Sequence, residues 1–168
     1  MKLFFSLTLM LIACFMLGEA AFSSALDSSG SGAGSTEDVR STSVVKVNNM
    51  SIDVILASTP SDQSKGLAIR DSLNENEGML FVFKNPQKHS FWMKDMKFPI
   101  DIIWADSVGK IVHIEKNLQP CIFLLPCTSY SPTSDSLYVL EVVSNFTNKY
   151  NVNIGDQILS DSISADKK

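Results

Sequence analysis

The chain has 168 residues and a formal net charge of -4, and 45% of its residues are hydrophobic. This length fits one ordinary domain with tails, and the hydrophobic content is typical of a globular protein. Because a mildly acidic chain without a run of Lys or Arg lacks the basic surface that nucleic-acid binding needs, we expect no nucleic-acid partner.

The first 20 residues have the pattern of an export signal. Lys2 gives a positive start, and residues 3–17 then contain no charged side chain. That stretch has the length of a signal-peptide core and is short for a transmembrane helix. Cleavage after Ala20, lipidation of Cys14 and an uncleaved anchor are three open interpretations. Each predicts an extracytoplasmic protein, secreted or membrane-tethered, that meets a membrane only through this segment.

The composition then changes twice along the chain. Residues 21–43 are rich in Ser and Gly, and such a stretch buries too little apolar surface to offset its chain entropy. We therefore expect a flexible linker there. One mainly β domain is predicted over residues 44–160, and a polar tail over residues 161–168.

The first half of this domain predicts strands over residues 44–47 and 52–57. Thr59 followed by proline is typical of a helix start, and the helix should end near Leu67. The run over residues 78–83 is apolar on both faces, which predicts a buried central strand.

The second half predicts further strands joined by turns and one long loop. Strands are expected over residues 89–94, 100–105, 110–116 and 137–143, with an extended loop over 118–133, a helical turn over 145–150 and a short strand near 154–158. These elements predict a mainly β domain (α+β at the margin) with a small barrel-like or two-layer architecture and one or two short helices.

Two cysteines and two sequons lie within the predicted domain. In an exported domain, Cys121 and Cys127 favour a disulfide, and two reduced thiols are the alternative. No histidine lies beside these cysteines in the sequence, so we expect no metal site and no other cofactor. Asn49 and Asn145 begin sequons and are candidate glycosylation sites.

Several sequence blocks come in an order known from one family. The blocks are Gly66-Leu67 followed by Arg70, Gly78-Met79-Leu80-Phe81-Val82-Phe83, Phe91-Trp92-Met93-Lys94, Pro99-Ile100-Asp101-Ile102-Ile103, Gly109-Lys110-Ile111-Val112, Val139-Leu140-Glu141 and Ile154-Gly155-Asp156. The chain thereby resembles the family called domain of unknown function 192 over about residues 47–159. The resemblance implies a compact, mainly β, often exported domain and no established reaction. Two positions depart from the family: Asp95-Met96 replaces its usual Asn-Thr, and Ser144-Asn145 replaces its common Gly.

Charged side chains within or beside the apolar strands are candidate site residues. Asp101 and Glu141 each lie between two aliphatic residues, and a carboxylate in such a strand must be paired, hydrogen-bonded or protonated. One hypothesis is a binding cluster that consists of Arg70, Trp92, Met93, Lys94, Asp101 and Glu141. The alternative, which strand alternation favours, puts both carboxylates on a solvent face or in a structural ion pair.

Three functions follow as hypotheses. The first is an exported binding or interaction module for a small ligand, a glycan or an envelope protein. The second is an envelope hydrolase that uses Asp101 and Glu141 as an acid–base pair, which requires both carboxyl groups on one face of the sheet. The third is a structural accessory domain. Because the sequence has no known nucleophile motif, we favour the first.

Overall fold

The computed structural model describes residues 41–121 and 126–160. The predicted signal segment with Cys14, the linker up to residue 40 and the polar tail lie outside these residues. Within them the fold is mainly β, as predicted. Its strands are β1 Thr42–Val47, β2 Met50–Ala57, β3 Glu77–Gln87, β4 Phe91–Trp92, β5 Ile100–Ala105, β6 Ile111–Leu118, β7 Ser129–Tyr130, β8 Ser136–Val143 and β9 Ile158–Ser160, and its helices are α1 Pro60–Lys65 and α2 Phe146–Lys149.

Seven of these strands form one curled sheet in the order β6-β5-β8-β3-β2-β1-β9. Neighbouring strands are antiparallel except β2 and β3, which are parallel. The two ends of the sheet meet where Ile111 N donates to Asp156 O at 2.8 Å and Ile158 N donates to Gly109 O at 2.8 Å. These contacts form a single isolated bridge and not a ladder, so the curled sheet is a half-barrel, which confirms the barrel-like prediction. Strands β4 and β7 form a separate two-stranded ribbon.

Both faces of the central strands are covered. All six residues of β5 are buried, and so are seven of the eight in β8. One hydrophobic core takes side chains from all seven strands of the half-barrel, including Ile52 and Leu140. A second core packs Phe81 and Trp104 on the opposite face, under Leu67 and the ribbon. Because both faces of these strands are buried, their sequences are continuously apolar and do not alternate between apolar and polar residues.

Helix α1 begins as the sequence predicts and ends slightly earlier. The Thr59 hydroxyl accepts a hydrogen bond from Asp62 N at 3.2 Å, which caps the helix. The helix stops at Lys65 because Gly66 adopts a left-handed φ of +53°, and a short 3-10 helix, Gly66–Ile69, follows. Gln63 Nε2 donates to Val82 O at 2.9 Å, so the helix is fixed against the sheet.

Three predicted boundaries needed correction. Strand β1 begins at Thr42, inside the predicted linker. The predicted strand over residues 89–94 reduces to Phe91–Trp92, because the residues on either side pair with no other strand. The predicted loop over residues 118–133 contains the other ribbon strand, Ser129–Tyr130.

The two departures from the family pattern fall at left-handed backbone positions. Asp95 has a φ of +60° in a tight turn, where Met96 N donates to Met93 O at 3.4 Å. Asn145 has a φ of +70° just before α2. Gly and Asn tolerate this conformation best. The residue types that the family places here therefore suit a turn, and Asp95 and Asn145 meet the same requirement.

A disulfide joins Cys121 and Cys127, whose Cα atoms lie 5.5 Å apart. Cys121 N donates to Met93 O at 3.1 Å, so the disulfide-bonded segment is attached to the turn that follows β4. In the chain-entropy model, a disulfide that closes a loop of this size stabilises a fold by about 2 kcal/mol. The cross-link thus helps to hold the ribbon beside the sheet.

Gly78 allows β3 to approach β8 closely. A Cβ at this position would lie 2.7 Å from the backbone oxygen of Glu141. Because two central strands cannot separate freely, we expect Gly78→Ala to lower the free energy of unfolding by about 1–3 kcal/mol, measured by urea denaturation. Lys46→Ala, at an exposed position of β1, is the control and should stay within about 0.5 kcal/mol of the wild type. Equal stability of Gly78→Ala and the control would contradict the close approach.

Candidate functional site

A cavity of about 460 Å³ lies on the face of the sheet that carries the second core. Its lining comes from the end of α1, the 3-10 helix, strand β3, the segment 89–96 and one residue of β8, Glu141. Of the predicted binding residues, Trp92, Lys94 and Glu141 line this cavity. The structure thus brings together three of the six.

Glu141 forms the floor of the cavity and is only 4% exposed. Its cross-strand partners are Met79 on β3 and Ile102 on β5, so its neighbours in the sheet are apolar. Burial in these surroundings raises the pKa of Glu141 to about 8, and a hydrogen bond from the Leu67 backbone N–H opposes the rise only in part. At pH 7 the carboxyl is therefore mostly protonated.

One oxygen of this carboxyl has no partner. Leu67 N–H donates a hydrogen bond to the group, whereas Oε2 is buried and makes no hydrogen bond. A Cβ on Gly66 would lie 3.9 Å from Oε2 and 3.6 Å from Phe81 Cζ. The absence of a side chain at Gly66 therefore keeps space open between the carboxyl and α1. The unpartnered oxygen therefore lies beside Gly66, which also lines the cavity.

Aromatic rings form the walls above this floor. Phe81 and Phe91 meet edge to face with ring centroids 4.8 Å apart, and Phe83 stacks on His89 at 3.5 Å. His89 is fixed in this position because its Nε2 lies 3.1 Å from Asn85 O. The walls are aromatic, and contacts among these rings hold them in place.

The mouth of the cavity is charged and partly apolar. Trp92 is 59% exposed there, and Lys94 Nζ lies 5.6 Å from the centre of its ring. Lys65 and Asp95 also line the opening. A ligand that enters would pass charges of both signs before it reaches the aromatic walls.

Asp101 does not belong to this site. In the register of β5 and β8, Asp101 pairs with Val142, whereas Glu141 pairs with Ile102. Because paired residues share a face and successive residues alternate, Asp101 and Glu141 point to opposite faces of the sheet. The predicted acid–base pair is therefore wrong.

Asp101 instead anchors the turns beside α2. Its carboxylate is fully buried and accepts hydrogen bonds from Asn117 N at 2.8 Å, Asn145 N at 3.2 Å and Thr147 N at 2.9 Å. The Thr147 hydroxyl donates a fourth, at 2.6 Å. The expectation that both carboxylates lie on a solvent face or in an ion pair is also wrong, because both are buried and neither forms an ion pair in the described part of the chain.

The other predicted binding residues have structural positions. Arg70 forms an ion pair with Glu77 at 3.1 Å and does not line the cavity. Met93 is 1% exposed and packs in the second core. Asn49 and Asn145 are exposed, and their glycosylation stays a prediction.

Sequence reasoning missed the aromatic walls and Gly66. Phe81 and Phe83 are two residues apart on β3 and share a face by alternation, which was a usable signal. Phe91 and His89 reach the cavity only because the ribbon folds over the sheet, and nothing local in the sequence indicates that pairing.

Within residues 41–121 and 126–160, no group of three or more His, Cys, Asp or Glu side chains is arranged to hold a metal ion. Over the same ranges, no helix has the length and apolar character needed to cross a membrane.

Comparison with known proteins gives a family and a fold. The model of the DUF192 family, described as "Uncharacterized ACR", matches residues 43–160. A crystal structure from Sinorhizobium meliloti 1021, described as a candidate transcription regulator, has a TM-score of 0.66 and 25% identity, over 72% of this chain and 95% of that one. A protein of unknown function from Novosphingobium aromaticivorans DSM 12444 has a TM-score of 0.62 and 27% identity, over 70% and 82%. The search of curated proteins found no match.

Proposed function

The chain belongs to the DUF192 family, and we propose that it is an exported binding module whose cavity holds a small organic molecule against Glu141. The observation that carries this proposal is a buried carboxyl that lines the cavity and whose Oε2 has no hydrogen bond. Export rests on the sequence pattern of residues 1–20.

The unpartnered oxygen supports ligand binding, because a buried oxygen without a hydrogen bond lowers the stability of the empty domain. A buried polar atom without a hydrogen bond typically costs about 1–3 kcal/mol. A purely structural acid would have its partners within the fold, as Asp101 does. A ligand that hydrogen-bonds to Oε2 would remove this cost, so the arrangement favours a bound state.

The size and chemistry of the cavity also suit a small molecule. Its volume of about 460 Å³ lies in the range of roughly 300–1,000 Å³ that small-molecule sites occupy. Such sites combine apolar and aromatic walls with a few convergent polar groups. Phe81, Phe83 and Phe91 supply the walls here, and Glu141 supplies the polar group.

The other functions have less support. A hydrolase would need a second catalytic group beside Glu141, and Asp101 lies on the opposite face. A structural accessory role leaves the free Oε2 unexplained. One structural relative is described as a candidate transcription regulator, but a net charge of -4 gives this chain little attraction for DNA.

We expect a small organic compound to raise the unfolding temperature of the purified chain in a screen of sugars, amines, small acids, nucleotides and metals. At a concentration of 100 times its dissociation constant, a ligand that binds only the folded state stabilises it by about 2.7 kcal/mol. Ser64 lines the cavity and is exposed, so Ser64→Phe should fill the space and abolish the shift.

Ser72→Phe is the matched control, because Ser72 is exposed and lies outside the cavity lining. It should keep the full shift. If no compound shifts the unfolding temperature, or if Ser64→Phe responds as strongly as Ser72→Phe, the cavity is not the binding site and the proposal is wrong.

A further inference from the structure

Glu141 has no positively charged partner in the described part of the chain. The ion pairs there join Arg70 to Glu77, Lys97 to Asp71, His113 to Glu115 and Lys149 to Glu75. Two lysines, Lys65 and Lys94, line the mouth of the cavity, but Lys94 lies over the Trp92 ring. An acid at the floor without a counter-ion leaves room for a ligand to supply the positive charge.

The aromatic walls of the cavity also favour a positively charged ligand. The face of an aromatic ring carries negative electrostatic potential and attracts cations, most strongly where water is excluded. Phe81, Phe83 and Phe91 line the same cavity as Glu141. Aromatic rings together with one carboxylate are the chemical combination that recognises an ammonium group.

Building on the proposed function, we propose that the cavity selects monoamines: small apolar molecules whose single ammonium group lies between the aromatic walls and donates an N–H hydrogen bond to Oε2 of Glu141.

Binding of an ammonium group must be linked to loss of a proton. The pKa of Glu141 is about 8, so at pH 7 the acid must ionise before it can form the ion pair, and its proton leaves to the solvent. Most of one proton should therefore be released for each amine bound at pH 7. From pH 6 to pH 8 the ionised fraction of Glu141 rises by roughly 10- to 100-fold, and the affinity should rise with it.

Other titratable groups also face this cavity and must be separated from Glu141. His89 lies in the walls, and Lys65, Lys94 and Asp95 lie at the mouth. The sheet neighbours of Glu141, Met79 and Ile102, do not titrate. A variant of His89 is therefore needed beside the variant of Glu141.

Calorimetry of the full chain with benzylamine and benzyl alcohol tests the proposal. The two probes share a ring and differ in the ammonium group. We expect benzylamine to bind at least tenfold more tightly than benzyl alcohol at pH 8, and its heat to depend on the ionisation heat of the buffer. The pH dependence should disappear in Glu141→Gln and persist in His89→Gln.

The outcomes separate this inference from the proposed function. If benzyl alcohol binds as tightly as benzylamine, and both are lost in Ser64→Phe, the cavity binds ligands but does not select amines. Binding of benzylamine without proton release would also overturn the inference. If neither probe nor any compound of the screen binds, both the inference and the proposed function are wrong.

Discussion

Asp101→Asn is expected to destabilise the domain by about 3–5 kcal/mol at pH 7, which is the largest effect of a single substitution that we predict. The carboxylate is fully buried and accepts three backbone hydrogen bonds and one hydroxyl hydrogen bond. An amide at this position keeps one acceptor oxygen and turns an NH2 group toward other donors. Buried N–H groups then lose their partner, and each loss costs about 1–3 kcal/mol.

Urea denaturation measures this effect, and Thr147→Val is the graded control. The valine removes the Thr147 hydroxyl and leaves its backbone N–H bonded to Asp101, so the expected loss is about 1 kcal/mol. A loss below about 1 kcal/mol for Asp101→Asn would show that the carboxylate does not anchor the turns beside α2. Because Asp101 lies on the face opposite the cavity, Thr147→Val should leave ligand binding unchanged.

The stability of the wild-type chain relative to Glu141→Gln should fall by roughly 3–4 kcal/mol between pH 5 and pH 8. The pKa of Glu141 is raised from 4.5 to about 8 in the folded state. Between these values the folded state keeps a proton that the unfolded chain has released, so each increase in pH favours unfolding. The slope approaches about 1.4 kcal/mol per pH unit within that window.

Denaturant unfolding of both chains at several pH values measures this difference, and subtraction removes the contribution of every other titrating group. Asp135→Asn, which removes an exposed carboxylate, controls for the change in net charge. If the stability difference between the wild type and Glu141→Gln does not change with pH, the acid is ionised in the folded state. The chemical description of the cavity floor would then be wrong.

The sequence could predict the chemical requirement of each buried carboxylate but not its surroundings. A carboxylate in an apolar strand must be paired, hydrogen-bonded or protonated. Asp101 is hydrogen-bonded, and Glu141 is protonated at neutral pH. Their faces could not be assigned, because alternation implies a solvent face only where one side of a sheet is open, and here both sides are covered.

The strands and the start of α1 could be predicted because they depend on local signals. The apolar run in β3 and the Thr59 cap act within a few residues. The cavity depends on distant contacts: Phe91 pairs with Tyr130 across the ribbon, and Gly66 approaches Glu141. Such contacts leave no pattern in a single sequence, so only part of the site was found.

The most direct test of the binding site is to record backbone amide NMR shifts of the chain during titration with benzylamine and with benzyl alcohol. The amide of Leu67 donates to Glu141, and the amide of Thr147 donates to Asp101 on the opposite face. We predict that a bound probe moves the Leu67 resonance and leaves the Thr147 resonance unchanged. If neither probe moves Leu67, or if Thr147 moves instead, small molecules do not bind against Glu141.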